Sequence, residues 1–251
     1  MNEARAKGLT LRLLGGIAIA LTCREVIARN AALDRDYNDI DLTGYSNQRQ
    51  EIERFLISKG FQPAREFNFL FGGRRLMFFR NADRVKVDIF LDRFQMCHSI
   101  DLRFGLERNE TIIGKGNLLL TKLQVVELAE RDVQDLLALL ISVNDSIIHH
   151  QEDNLETELR ETISRACGND WGLWKTSSLT VAKLSTSTLL TNLVKSDSDS
   201  AVHCLDLIKS FLDQATKSFL WKLRNVLGER IKWYELPEEP LHFNFPDQDR
   251  S

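Results

Sequence analysis

A chain of 251 residues, 43% of them hydrophobic, has enough apolar material for a sizeable core, arranged as one large domain or two small ones. The formal charge of −3, from 33 basic and 36 acidic side chains, excludes a strong overall field for nucleic acid or an acidic membrane and leaves local basic patches as the means of attracting phosphate. No apolar run approaches the roughly 20 residues that a bilayer span requires, and MNEARAKG is not followed by a signal-type apolar segment, so the expectation is a soluble, cytoplasmic protein with no membrane partner.

Cys23, Cys97, Cys167 and Cys204 are scattered, without a CxxC pair or zinc-finger spacing, and are expected to be reduced, mostly buried thiols.

The first half alternates between apolar periods of two and of three to four, which predicts an α+β arrangement of a small mixed sheet with flanking helices. Leu11 to Leu14 reads as a short strand that breaks at Gly15-Gly16. Ile17 to Ala28 follows as a helix entered directly from the glycines. Asp39 to Tyr45 alternates polar and apolar residues as a half-buried strand does. EIERFLISKGF gives a helix with Ile52, Phe55 and Leu56 on one face, stopped near Gly60. RRLMFF and RVKVDIFL are two strand-like runs, joined by Arg80-Asn81-Ala82-Asp83 as a hairpin.

The second half is helical in period. Asn117 to Ile141 predicts two helices broken around Leu128 to Arg131, with Asp132 helping to cap the second. Leu155, Leu159 and Ile163 recur every four residues. The most regular stripe runs Val202, Leu205, Ile208, Leu212, Ala215, Phe219, Leu223, Val226, with Ser196 to Ser200 expected as a polar loop leading into it. Pro237, Pro240 and Pro246 predict an extended tail. The expected division is a core at 1–110, a C-terminal helical domain at 111–236 and the tail at 237–251.

Three features of the first half belong together: the Gly15-Gly16 turn, Asp39-Ile40-Asp41 on one strand, and Asp88 between Val87 and Ile89 on a later one. Residues two apart on a strand share a face, so Asp39 and Asp41 project together while Ile40 and Leu42 enter the core. Carboxylates so placed repel and raise one another's pKa unless a cation neutralises them. Three hard oxygen ligands suit Mg²⁺, with Mn²⁺ as a substitute. Two such ions would activate an attacking hydroxyl and stabilise a leaving pyrophosphate. Glycine lets a backbone approach a triphosphate closely at the following helix N-terminus. Taken singly, a Gly-Gly pair is usually only a turn and an acid-x-acid strand usually a solvent-facing edge. An acid inside an apolar run is harder to dismiss, because an unpaired buried carboxylate costs several kcal/mol.

LLGGIAIAL, RDYNDIDL and VKVDIF resemble the nucleotidyltransferase superfamily of the DNA polymerase β type. Within it, the wide glycine-to-acid gap and Arg35 are similar to the family of abortive-infection nucleotidyltransferase toxins and to antibiotic nucleotidyltransferases acting on lincosamides and aminoglycosides. The resemblance covers about the first 90 residues and implies a nucleotidyltransferase fold. It also implies that Asp39, Asp41 and Asp88 bind metal, that Gly15 and Gly16 cradle the triphosphate, and that Arg35 belongs to the nucleotide site. TKLQVVELAERDVQDL resembles the toxins' later lysine and Arg-Asp-x-x-Asp helix, which implies that Lys122 contacts phosphate and that Arg131, Asp132 and Asp135 support the site. Read without the resemblance, Lys122 is a solvated lysine and Arg131 with Asp135 an i,i+4 ion pair.

The chain departs from the superfamily in two places. Gly16 stands where a serine is frequent, and Tyr37 where the toxin relatives tend to carry a serine or threonine. The expected reaction is transfer of a nucleoside monophosphate from an NTP to a hydroxyl of an RNA such as tRNA, a protein or a small molecule. The alternative is a non-catalytic binding protein of the same fold or a toxin–antitoxin component.

The remaining candidates are weaker. His149-His150 reads as a surface pair. Cys97-His98 is too close in sequence for a nucleophile and base. Asp170 to Lys175 is an aromatic turn suited to packing or base stacking. Arg74, Arg75, Arg80, Arg84 and Lys86 form a basic hairpin that would hold phosphate or protect an edge strand.

Overall fold

Period-two patterning produces the strands almost where it predicts them. In the computed structural model, which describes residues 1–107 and 110–236, a short helix α1 (Asn2–Ala6) precedes β1 (Leu11–Leu14), and the chain enters α2 (Gly15–Thr22) at the glycines. The single helix expected from Ile17 to Ala28 is two, because the chain leaves helical geometry at Cys23 before α3 (Arg24–Arg29). Thr22 Oγ1 donates back to the Ala18 carbonyl at 2.8 Å, a local bond of the kind that bends helix ends. Next come β2 (Asp39–Gly44), α4 (Arg49–Ser58), β3 (Gln62–Pro63), α5 (Arg65–Phe71), β4 (Arg75–Arg80) and β5 (Val85–Leu91). A second small sheet follows in β6 (Arg93–Gln95) and β7 (Ser99–Asp101), then a single turn α6 (Arg103–Leu106).

The main sheet has five strands in the order β1-β2-β5-β4-β3. Among these five strands β2 and β5 run parallel and the other neighbouring pairs antiparallel, and Leu13 of β1 makes a further parallel bridge to Ile112. The predicted hairpin is β4–β5, with Arg80 opposite Val85 and Arg84 taking the left-handed φ of 55° in the turn. On one face of the sheet, Leu42, Val87, Ile89, Leu76 and Phe78 pack against Ile52 and Leu56 of α4. Burial of the two α4 side chains stabilises the layer by about 1.5–3 kcal/mol each.

The second half is helical: α7 (Lys115–Leu123), α8 (Glu130–Ile148), α9 (Leu155–Asn169), α10 (Trp171–Ser185), α11 (Thr188–Thr191), α12 (Lys195–Gln214) and α13 (Phe219–Leu227). The chain is therefore α+β. The break between α7 and α8 spans residues 124–129, and Asp132 accepts the Ala129 N–H at 3.2 Å, the capping role expected of it. One apolar core crosses residue 110: Leu14, Ala18, Ile19 and Phe90 are clustered with Leu118, Leu136, Leu140, Ile163, Leu205 and Phe211. The tail expected at 237–251 lies outside the described residues.

Two helical expectations change. Ser196 to Ser200 is not a loop but the first turns of α12. Asp197 is held there by Arg29 Nε at 2.7 Å and Asn30 Nδ2 at 2.5 Å, while Asn30 Oδ1 accepts the Val194 N–H at 3.0 Å. Asn30, more than 160 residues away, thus accepts the N–H of Val194 just before the helix, while Arg29 and Asn30 anchor the side chain of Asp197 in its first turn. The long stripe from Val202 to Val226 is also interrupted: Ala215 turns extended (φ −56°, ψ 131°), and Ser218 caps α13 by accepting the Trp221 N–H at 3.2 Å. Among the described residues no helix is long and apolar enough to cross a membrane.

Candidate functional site

The parallel pair β2–β5 sets Asp41 beside Asp88 and Asp39 beside Lys86, so all four side chains leave the same face of the sheet. Above them lies the β1–α2 turn. Gly15 has φ +68°, a left-handed conformation that favours glycine, and a Cβ built there would stand 1.9 Å from Asp41 Oδ2. The carboxylate of Asp41 is thus pressed against the backbone at the start of α2. Gly15→Ala is expected to cost about 2 kcal/mol or more, through both φ strain and displacement of Asp41. Gly60→Ala is the control, since Gly60 has φ +81° and open space around it. Equal melting-temperature losses in the two variants would show that the Asp41 contact does not matter.

Burial pushes Asp41 up to about 7; Asp88 adds to the rise, and Lys86 and Lys122 oppose it. Its neighbours already have cations. Lys86 Nζ lies 2.9 Å from Asp39 Oδ2. Arg75 grips Asp88 with two bonds, Nε to Oδ1 at 2.8 Å and Nη2 to Oδ2, while its guanidinium sits 4.9 Å from the Phe90 ring and 5.4 Å from that of Phe67. Both partners are buried. Among the described residues no three His, Cys, Asp or Glu side chains stand close enough together to hold a metal ion. The three acids share a face as expected, but Asp39 and Asp88 are each turned to a cation.

Two carboxylates are adjacent in register, and Asp41 is driven toward protonation by desolvation and by the charge of Asp88, which Lys86 and Lys122 only partly offset.

A second group of charges flanks the glycines. Arg35 Nε and Nη2 bond Asp135 Oδ1 and Oδ2 at 2.9 and 2.7 Å. Lys122 Nζ reaches Asp135 at 2.8 Å and Asp132 at 3.0 Å. Burial pulls the Lys122 ammonium down, but Asp135 and Asp132 outweigh it and the net shift is upward. Lys122 is therefore no solvated lysine, and Asp135 turns inward to Arg35 and Lys122 rather than along the helix to Arg131. Arg131 is exposed at the start of α8.

The two sequence departures touch each other. A Cβ on Gly16 would lie 2.4 Å from Arg35 Nη2 and 2.9 Å from Tyr37 Cδ1, and the Arg35 guanidinium stacks 4.0 Å from the Tyr37 ring. The space that a serine side chain would need at position 16 is filled by that stack.

Elsewhere the bland readings hold. All four cysteines are free and buried, and burial raises Cys23, Cys167 and Cys204 to about 12. His149 and His150 are exposed at the end of α8. His98 Nε2 meets Thr176 Oγ1 at 2.9 Å. Asp170 to Lys175 is not a turn but the start of α10, capped by Asp170 Oδ1 at 3.0 Å from the Leu173 N–H, and Trp171 and Trp174 pack edge-on against Trp233 and Trp221. In the basic hairpin, Arg75 and Lys86 serve the two acids and Arg80 pairs with Asp83.

The grip of Arg75 on Asp88 is the feature that sequence reading missed. Met77 is the residue opposite Asp88, so Arg75 is its diagonal neighbour two places along, a reach that cross-strand pairing allows for a long side chain. The hairpin turn alone contained that signal. No protein-family model, curated protein or solved structure matches the chain.

Proposed function

We propose that the chain is a metal-dependent nucleotidyltransferase of the polymerase β type, moving a nucleoside monophosphate from an NTP to a hydroxyl. The reading rests above all on one observation: Asp41 and Asp88 stand in register on adjacent parallel strands, directly beneath a glycine turn that admits no side chain. Lys122 and Arg35 support it as two cations near that turn; both are now paired with Asp135 and in this reading would turn to phosphate oxygens when nucleotide binds.

In this reading the acceptor oxygen bonds to the α-phosphorus, the bond to the β-phosphate oxygen breaks, and pyrophosphate leaves. Asp39, Asp41 and Asp88 would hold Mg²⁺ or Mn²⁺, which supplies charge neutralisation to the phosphates. Asp88 would orient the acceptor hydroxyl and take its proton, for which Arg75 must yield one of its two bonds. Gly15 and Gly16 bring backbone N–H groups close to the triphosphate.

The test is label transfer from each α-labelled NTP, with Mg²⁺ or Mn²⁺, to tRNA, to protein and to small hydroxyl compounds. Transfer is expected with one acceptor class and is expected to disappear in Asp39→Ala. No transfer to any acceptor, with Asp39→Ala indistinguishable from wild type, sinks the proposal.

A second reading is favoured by the pairing of Asp39 with Lys86 and of Asp88 with Arg75: a binding protein or toxin–antitoxin component that keeps the fold without the transfer. Calorimetry separates the two. NTP binding that needs no metal and survives loss of Asp41 supports the binding protein.

A further inference from the structure

Residues 34–38 run past the glycine turn without regular structure, and their one aromatic ring, Tyr37, is fixed against it. Its Cδ1 borders Gly16, 2.9 Å from the point where a side chain would begin. One face of the ring is covered by the Arg35 guanidinium at 4.0 Å. Three hydrogen bonds lie along the rim of that guanidinium: Nε and Nη2 donate to the Asp135 carboxylate at 2.9 and 2.7 Å, and Nη1 to the Asp36 carbonyl at 2.9 Å. They fix the plane of the cation and with it the plane of the ring. Tyr37 is half-buried; among the described residues its ring has no second stacking partner and its hydroxyl no hydrogen bond.

A ring held flat by a cation behind it is what a stacked base requires, because its face is already oriented and little freedom is lost on contact. A nucleotide whose phosphates lie at the turn carries its base one ribose away, within reach of a ring that borders Gly16. The absence of a side chain at Gly16 is what admits the stack, since a Cβ there would stand 2.4 Å from Arg35 Nη2. Exchange of Asp135 for phosphate oxygens takes place along the rim of the guanidinium and leaves its face on the ring, so the stack persists when nucleotide binds. Burial, with Asp135 adding to it, holds the phenol above its ordinary pKa, which keeps the ring uncharged beside the phosphates.

From these observations we infer that Tyr37 is the platform on which the base of the bound NTP stacks, so that the site takes purine ahead of pyrimidine nucleoside triphosphates. The inference rests on the nucleotidyltransferase reading of the same site and adds to it the residue that tells a nucleotide from bare triphosphate. Every base has a face to stack, so the preference is one of degree, set by how much of the tyrosine ring the base covers. Two fused rings cover more of it than one.

Calorimetry of the full chain with Mg²⁺ tests this, using ATP, GTP, CTP, UTP and inorganic tripolyphosphate, which has the phosphates and no base. Wild type is expected to bind ATP and GTP about threefold or more tighter than CTP and UTP. Tyr37→Leu is expected to weaken ATP binding about tenfold, to erase the purine preference and to leave tripolyphosphate binding unchanged. Tyr37→Phe keeps the ring and is expected to retain the preference. Tyr37→Trp enlarges the platform and is expected to tighten ATP alone, a gain that does not depend on how well the leucine variant folds. Equal losses of ATP and tripolyphosphate in Tyr37→Leu overturn the inference, because Tyr37 then only braces Arg35. Pyrimidine nucleotides bound as tightly as purine ones, or ATP binding indifferent to both Tyr37→Leu and Tyr37→Trp, also overturn it and leave the nucleotidyltransferase reading standing. A wild type that binds neither NTP nor tripolyphosphate overturns that reading and the platform with it.

Discussion

Asp41→Asn is expected to abolish nucleotide transfer and, without metal, to make the fold more stable above neutral pH. The folded carboxylate has its pKa at about 7 against 3.8 in a free chain. Between those values the folded state holds a proton that the unfolded state has lost, so stability falls as pH rises from about 4 to about 7 and is level on either side. At 1.36 kcal/mol per unit the penalty above pH 7 is about 4 kcal/mol, reduced wherever solvent reaches the group. Asparagine carries no charge and removes the slope. Urea melts at pH 5 and pH 8 check this: wild type should lose stability between them and Asp41→Asn should not. Parallel behaviour of the two would show that Asp41 is already neutralised within the fold. Added Mg²⁺ should raise wild-type stability at pH 8 and leave the variant unchanged. Transfer should fall at least about a thousandfold in the variant, the scale on which removal of a preorganised charge acts.

Asp135→Ala is expected to destabilise the chain by about 3–5 kcal/mol, because it leaves the Arg35 guanidinium without a carboxylate and Lys122 with Asp132 alone in a poorly hydrated place. Arg35 loses both bonds to the Asp135 carboxylate and keeps the one to the Asp36 carbonyl, and Lys122 loses one of its two carboxylates. Since Arg35 packs on Tyr37 and against Gly16, the release is expected to reach the glycine turn and weaken NTP binding as well. Pairing the change with Lys122→Met should recover part of the stability and none of the NTP affinity. A loss below about 1 kcal/mol in the single variant would place Asp135 among surface ion pairs instead.

The strands and the shared face of the acids were legible in the sequence because alternation is local: Asp39, Ile40, Asp41 and Leu42 state their own sides. The break in the helices after Leu123 and the capping by Asp132 were also readable within a few residues. What escaped depended on partners far along the chain. Nothing near Ser196 to Ser200 marks a helix, since its start is anchored from afar, by Arg29 on the Asp197 side chain and by Asn30 on the Val194 N–H. Lys86 meets Asp39 only because β5 lies parallel to β2, a pairing that no short motif announces. The α5 helix, and the β6–β7 hairpin after it, are too short to develop a period. The stripe through Val226 was regular in sequence, yet its last third faces outward, because periodicity tells which residues share a side and not what lies against them.

The register of β2 has a consequence for which mutations a lineage could tolerate. Removing one residue from Asp39–Gly44 would turn Ile40 and Leu42 outward and press the acids into the layer over α4, exchanging site for core in a single step. Residues 34–38, outside any strand, could absorb such a loss. Natural variants of this protein are therefore expected to differ in length before Asp39 and after Gly44, but between them only by substitution.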